Sequence, residues 1–410
     1  MNCRHCHTDI DAARDVFLDL GTAPPSNAFL SASQLGAGEL YLPLQVYTCP
    51  GCRLVQVGEL QRPDALFSDD YVYFSSFSQS WLAHAREYVE RVCLRLSLGA
   101  SSFVVEIASN DGYLLQFVDA RRIRCLGIEP TASTAAAARL RGVPTLEQFL
   151  GVDVARGVVS VHGAADLVVA NNVLAHVPDI NDFVRGVRVL LAAAGTVTFE
   201  FPHLLRLVAD AQFDTVYHEH YSYLSLHTVQ RVLAAAGLVI WDVEALPTHG
   251  GSLRVWAQRA EHHRPASDAV AAMLAVEARA GMTGDGFYRG MQRRAECIRN
   301  AFVRFLLENA SAGKTVVGYG AAAKGNTLLN FAGVRPDLLR WVADASPHKQ
   351  GRFLPGSRIP VVHPDRIAEE RPDVIVLLPW NLRDELRESL SYTRQWDAQL
   401  VIAMPAIEVA

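Results

Sequence analysis

From residue 103 onward, short apolar runs alternate with stretches of helical period. Phe103-Val104-Val105-Glu106-Ile107 reads as a buried strand, then a polar turn, then a helix from Leu114. Apolar runs at 124–129, 166–170 and 195–200 repeat that unit, and 81–100 ahead of them has the period of a helix. Strands separated by helices predict a mostly parallel, doubly wound sheet. Residues 265–312 carry long helical periodicity, which predicts a helical connector. A second strand-helix series follows at 315–320, 341–344, 373–378 and 400–404, predicting a second Rossmann-like unit. Residues 1–70 differ, with turn formers such as Gly21-Thr22-Ala23-Pro24-Pro25-Ser26-Asn27 and short alternating segments. So short a segment cannot build a large core alone, the usual reason for a structural metal. The expected fold class is α/β, divided as a small metal-binding domain (1–70), a Rossmann-like middle domain (71–265), and a connector with a C-terminal Rossmann-like domain (266–410).

Composition adds mostly exclusions. The 410 residues are 50% hydrophobic and 20% charged, with a formal net charge of −5 and no long basic run. That offers no electrostatic footprint for nucleic acid, though a small anionic ligand needs only a local cluster of donors. No apolar run approaches the roughly 20 residues that span a bilayer. The opening Met1-Asn2-Cys3-Arg4-His5-Cys6 has no apolar signal core. The expectation is a cytoplasmic protein with no membrane or nucleic-acid partner, monomeric or weakly dimeric.

Four of the seven cysteines form two C-x-x-C pairs, Cys3/Cys6 and Cys49/Cys52. Two such knuckles give tetrahedral sulfur coordination of Zn²⁺, and Pro50-Gly51 suits the tight turn of the second. With four protein ligands no position remains for water, so the zinc is expected to be structural.

Glu106-Ile107-Ala108-Ser109-Asn110-Asp111-Gly112 follows a strand and precedes a helix, where a nucleotide-type cofactor meets the backbone of a doubly wound sheet. Glu129 ends the next strand, placed to accept both ribose hydroxyls. The segment from Asp166 through Asn171-Asn172 to His176 completes a pattern common in class I methyltransferases. Only Gly112 remains of a glycine-rich turn, and no phosphate-cradling lysine is present, which favours S-adenosylmethionine over NAD, whose pyrophosphate wants a glycine-rich helix start.

Tyr217-His218-Glu219-His220-Tyr221 is dense in proton-moving groups and falls above the carboxyl ends of the strands. Glu219 is placed to orient a histidine. Tyr71 and Tyr73, in the join between the first two domains, could roof the pocket. Gly318-Tyr319-Gly320-Ala321-Ala322-Ala323-Lys324-Gly325-Asn326 opens the second series, and its helix start with Lys324 favours an anion. By itself this turn would suggest NAD, but a nucleotide-diphosphate substrate fits the same features, with Trp380 and Asn381 placed to stack on and hydrogen-bond a base.

Together these segments resemble the sugar C-methyltransferases of deoxysugar biosynthesis, which methylate C3 of dTDP-linked 4-keto hexoses in antibiotic pathways. The resemblance spans the chain: both knuckles, Y-x-Y-x-S-S at Tyr71, E-I-x-x-N-D-G at Glu106, G-x-E-P at Gly127, A-N-x-L-x-H ending at His176, Y-x-E-H at Tyr217, H-G-G at His249, G-Y-G-A-x-A-K at Gly318 and W-N at Trp380. It implies a nucleotide sugar held between the middle and C-terminal domains. It implies Tyr217, Glu219 and His220 as active-site groups with His176 beside them, and it adds His249 and Gly250 to the substrate side. Carbon methylation needs a carbanion, so the expected mechanism has His220 remove the C3 proton and Tyr217 or His176 hold the enolate. Three rivals stay open at this point: methylation of another acceptor on the same scaffold, an NAD-dependent oxidoreductase, and a binding protein without catalysis.

Overall fold

The structure is a computed structural model that describes residues 1–58, 74–262 and 264–409. Its strands, in chain order, are β1 (Val16–Ala23), β2 (Leu42–Thr48), β3 (Val55–Val57), β4 (Phe103–Ile107), β5 (Arg124–Ile128), β6 (Thr145–Leu146), β7 (Ala165–Asn171), β8 (Leu191–Pro202) and β9 (Ser222–Tyr223). There follow β10 (Leu238–Leu246), β11 (Ser252–Arg259), β12 (Val316–Tyr319), β13 (Val342–Ala343), β14 (Val361–Val362), β15 (Val374–Leu377), β16 (Gln399–Ile402) and β17 (Glu408–Val409).

The middle sheet has the order β10-β11-β8-β7-β4-β5-β6. Strands β4 to β8 run parallel, and the hairpin β10–β11 joins antiparallel to β8. Every residue of β4 is buried, as expected of a strand covered on both faces. The strand order reverses between β4 and β7, which opens a crevice at their carboxyl ends. The C-terminal sheet repeats the scheme as β14-β13-β12-β15-β16-β17, parallel except for β17, with its own reversal between β12 and β15. No helix among the described residues is long and apolar enough to cross a membrane.

Two expectations need correcting. The connector is not one helical stretch. Helices Asp268–Arg279 and Met291–Ser311 are separated by a loop in which Gly281 and Gly290 take φ of +86° and +88°, a conformation that costs glycine little. The N-terminal sheet is also not built from the N-terminal segment alone. Its order is β1-β2-β3-β9, so residues from beyond the middle sheet complete it. Arg4, inside the first knuckle, donates to the carbonyls of Val57 and Tyr221 and so staples β3 to the entry of β9.

The same segment reaches the C-terminal domain. The Asn326 amide donates to the Ser26 carbonyl at 2.7 Å, and Arg358 pairs with Glu39 at 2.8 Å. One apolar core runs from Phe17, Val46 and Val55 through Phe213 and Phe302 to Leu328 and Val342. The metal-bearing segment is thus wedged between the two Rossmann-like units and shares a core with each, through Cys3, Ile10 and Leu54 on the middle domain and through Phe17, Val46 and Val55 on the C-terminal one.

Candidate active site

The four cysteines converge. Their sulfurs all lie within 4.8 Å of one another, and the Cys3–Cys52 and Cys6–Cys49 pairs are 3.5 Å apart. Zinc–sulfur bonds of about 2.3 Å at tetrahedral angles put sulfurs about 3.8 Å apart, so the cluster has the size of a zinc cage. The amides of Gly51 and Cys52 donate to the Cys49 sulfur at 3.3 and 3.4 Å, as they would to a thiolate. A side chain at Gly51 would meet the Thr8 hydroxyl at 2.6 Å, which explains the glycine in that knuckle. A dication lets all four ionise, and the residues fit structural Zn²⁺.

A cavity of about 480 Å³ opens at the carboxyl ends of β4, β5 and β7 and is closed on its far side by the helix start Ala322–Lys324. The turn after β4 is built from left-handed residues: Ala108, Asn110 and Gly112 have φ of +54°, +49° and +77°. That tight path brings Ala108 and Asn110 to the cavity wall. Glu129 faces the same wall and is fixed by the amides of Asn110 and Thr131, both at 2.9 Å. The Thr131 and Thr134 side chains also hydrogen-bond the carboxylate and hold it in place at the wall. Asn171 and Asn172 also line the cavity.

Three expected cofactor residues lie behind the wall rather than on it. Glu106 is buried beneath the turn, and burial raises its carboxyl well above the usual range. Asp111 is spent on a 2.7 Å ion pair with Arg141 and a hydrogen bond from Ser76. Gly112 backs onto Val143, where an added methyl would sit 3.0 Å from a side-chain carbon. The sequence reading missed an apolar pocket beside Glu129, made by Ile128, Phe149, Leu150 and Phe183 with Gln148 at its edge. The apolar pair Phe149-Leu150 after β6 was the available signal.

Opposite this pocket, Tyr217, Glu219, His220, His176 and His249 share the cavity wall. The His220 Nδ1–H donates to the Thr215 carbonyl at 2.8 Å. That bond fixes the tautomer and leaves Nε2 as an acceptor, and the Tyr217 hydroxyl donates to it at 2.6 Å. The His176 ring meets His220 edge-on at 4.6 Å. Burial lowers all three imidazoles: His220 well below its ordinary value, His176 and His249 to about 4. They are therefore neutral at pH 7.

The Glu219 carboxylate does not orient His220, contrary to the expectation, and it is the Glu219 backbone that bonds the His176 ring. Glu219 Oε1 accepts from the Asn27 amide at 3.2 Å, and the backbone carbonyl of Thr215 has taken the orienting role. Asn27 belongs to the metal-bearing segment and itself lines the cavity. His218 points away, its Nε2 lying 3.4 Å from the Leu42 carbonyl. Tyr71 and Tyr73 lie outside the described residues.

On the far wall, Lys324 donates to the Asn381 side chain at 2.6 Å and sits 4.7 Å from the centre of the Trp380 ring. Trp380 in turn donates to Asp214 at 2.7 Å. Lys324 and Asn381 line the cavity, whereas Trp380 stands behind Lys324. Gly250 packs against Trp380, where a side chain would clash at 2.4 Å. Two expected substrate residues are elsewhere: Tyr319 does not reach the cavity, and Asn326 is buried on Ser26. The second glycine-rich turn is packed against its own domain. Gly320, at φ +84°, is filled by Pro379, and the Asp344 carboxylate already receives the amides of Ala321 and Ser346 at 2.7 and 2.8 Å.

Beneath the cavity, Glu200 at the end of β8 binds His84 at 2.9 Å, Arg254 at 2.5 Å and Thr248 at 2.9 Å. Burial works against its charge, but the His84 bond and the Arg254 charge outweigh it and hold the carboxyl at about 2. Through Thr248 the cluster anchors the turn that carries His249 at φ +54°.

This is a cofactor crevice at a sheet reversal, faced by neutral imidazoles and a phenol, and it defines a methyltransferase-type catalytic cleft. Comparison with known proteins makes the assignment specific. Residues 81–243 match the methyltransferase domain family, 247–405 the C-methyltransferase C-terminal domain family, and 3–67 a zinc-binding domain family. The C-methyltransferase NovU of Streptomyces niveus is 35% identical over 407 residues, covering 98% of this chain and 95% of that protein. The chain belongs to the S-adenosylmethionine-dependent C-methyltransferases, with zinc in its N-terminal domain. Solved structures resemble it weakly. A methyltransferase from Mesorhizobium loti is 18% identical, covering 43% of this chain and all (100%) of that one, with a TM-score of 0.35. The magnesium protoporphyrin IX methyltransferase of Synechocystis PCC 6803 with bound cofactor is 14% identical, covering 44% of this chain and 81% of that one, with a TM-score of 0.33. Likenesses at that level carry no weight for function.

Proposed function

We propose that this C-methyltransferase acts on C3 of a nucleotide-linked 4-keto-deoxysugar, dTDP-linked by the sequence resemblance. The observation that carries the reading is the chain Tyr217–His220–Thr215: a buried imidazole with a fixed tautomer, its acceptor nitrogen turned to a phenol on the cavity wall. A ketone next to the acceptor carbon is what makes such a weak base sufficient, because it acidifies the neighbouring C–H and holds the resulting charge on oxygen.

S-adenosylmethionine, when bound, supplies an electrophilic methyl on a sulfonium. The cofactor side would be Ala108, Asn110, Asn171 and Asn172 along the turn, Glu129 for the ribose hydroxyls, and the pocket of Phe149 and Leu150 for the base. On the sugar side, the C3–H bond breaks and its proton passes to His220 Nε2, while the electron pair becomes the enolate. Protonated, Nε2 changes from acceptor to donor. The Tyr217 oxygen can then accept from it, and the phenol O–H turns to the enolate oxygen. The enolate carbon would take the methyl that the bound sulfonium supplies, leaving S-adenosylhomocysteine, and C3 would invert if the methyl enters opposite the proton held on His220. Lys324 and Asn381 on the far wall, with His249 nearby, supply donors for the anionic part of the nucleotide.

The test is to supply a dTDP-4-keto-deoxysugar and S-adenosylmethionine. The expected product gains one methyl on carbon, located at C3 by NMR. Methyl transfer to oxygen or nitrogen, or to an acceptor lacking a neighbouring ketone, overturns the reading.

A further inference from the structure

The turn Phe213–Thr215 carries two bonds that face different domains. Its Thr215 carbonyl fixes the His220 ring at 2.8 Å. Its Asp214 carboxylate, fully buried, accepts the Trp380 indole N–H of the C-terminal domain at 2.7 Å, and its other oxygen has no hydrogen-bond partner. The next carbonyl, Val216, accepts the Thr327 hydroxyl of that same domain at 2.8 Å. The Trp380 ring lies under the Lys324 ammonium, and Lys324 is tied to Asn381. A buried carboxylate is costly unless it serves a cation or donors. Here the cation is Lys324, whose charge acts on Asp214 and opposes the rise that burial imposes on it.

We propose that Asp214 is a positioning residue that locks the Lys324–Trp380–Asn381 wall to the turn presenting the His220 base. The proposal rests on the reading of His220 as the base. Asp214 touches neither sugar nor cofactor and acts through two neighbours. As the partner of Trp380 and counter-charge of Lys324, it sets where the anion-binding wall stands. As the residue before Thr215, it sets where the carbonyl that fixes the His220 tautomer points. Aligning the sugar for proton removal thereby depends on one carboxylate between domains, and cofactor binding across the cavity does not.

The experiment compares the full-length zinc-loaded wild type with Asp214→Ala and Trp380→Phe. Histidine-labelled protein without substrate is read by ¹⁵N NMR for the His220 tautomer. C3 deuterium exchange and KM are measured with the dTDP-4-keto-deoxysugar, and S-adenosylhomocysteine affinity by calorimetry. In Asp214→Ala the wild-type Nδ1–H pattern is expected to average toward both tautomers. KM should rise and exchange fall, each by about tenfold, as a lost positioning contact gives. Cofactor-product affinity should stay within about twofold, as expected for a separate subsite. A folded Asp214→Ala protein with wild-type tautomer and wild-type exchange overturns the proposal, as does equal weakening of cofactor binding. If Asp214→Ala does not fold, Trp380→Phe decides. It keeps an aromatic face and the carboxylate but removes the N–H, so an unchanged KM overturns the proposal and a raised KM with intact cofactor binding supports it. Absence of exchange in the wild type defeats the base assignment instead, and the tautomer readout, which needs no substrate, still decides the role of Asp214.

Discussion

His220 can serve as a base because three neighbours constrain it: a backbone carbonyl on one nitrogen, a phenol on the other, and the His176 edge against its ring. Tyr217→Phe keeps the packing but removes the group that turns to the enolate. Methyl transfer should fall by about 10² to 10³, the range for loss of one oxyanion donor, with cofactor binding intact. Undiminished turnover in that variant places the enolate donor elsewhere. The buried imidazoles also set a pH dependence of stability. His176 and His249 fall to about 4 from the ordinary 6.5. The unfolded chain therefore binds more protons between those values, and stability present above pH 6.5 is lost as pH falls toward 4. Buried carboxyls act in the opposite direction, Asp214 raised to about 6 and Glu106, Glu129 and Glu219 raised by the same burial, so the share of one imidazole is read by comparing variants. His249→Asn should lose less of its thermal midpoint than the wild type as pH falls across that window. Identical slopes for variant and wild type contradict the neutral buried state. At this scale the sequence named the reactive groups but not their partners. Y-x-E-H suggested a carboxylate beside a histidine, whereas the histidine found Thr215 and the carboxylate found Asn27, a residue 192 positions away.

At the scale of elements, the strands buried on both faces were legible, because an apolar run such as Phe103–Ile107 has few alternatives. The hairpin β10–β11 was not, since its alternation reads equally as a loop-bounded segment until β8 provides a pairing edge. Two-residue strands such as β9 carry no periodicity, and only tertiary pairing defines them. The glycine-rich turn after β12 shows why a motif needs its surroundings. Gly320 is required by its φ of +84° and by Pro379, which an added methyl would approach to 2.5 Å, and not by a dinucleotide. Gly320→Ala should cost about 1–3 kcal/mol through strain at that backbone position, with S-adenosylhomocysteine affinity unchanged. Equilibrium denaturation measures it, and an unaltered midpoint shows that Pro379 yields freely.

At the scale of the molecule, the two Rossmann-like sheets were foreseen, but the N-terminal sheet and the dependence of the three on one another were not. Contacts such as Asn326–Ser26 and the β3–β9 pairing join residues far apart in sequence, which no local pattern encodes. They make the zinc segment a wedge that also delivers Asn27 to Glu219. Cys49→Ser should therefore loosen β9 together with β1 to β3, and hydrogen exchange should show protection lost at 222–223 as well as at 16–57. Protection lost from the N-terminal strands alone contradicts the shared sheet. The central claim is that this cleft removes a proton from carbon next to a ketone before it delivers a methyl. Deuterium wash-in at C3 of a dTDP-4-keto-deoxysugar, in D₂O without S-adenosylmethionine, tests that claim directly. The account predicts exchange by the wild type and its loss in His220→Ala; no exchange by the wild type, or exchange that persists without His220, contradicts it.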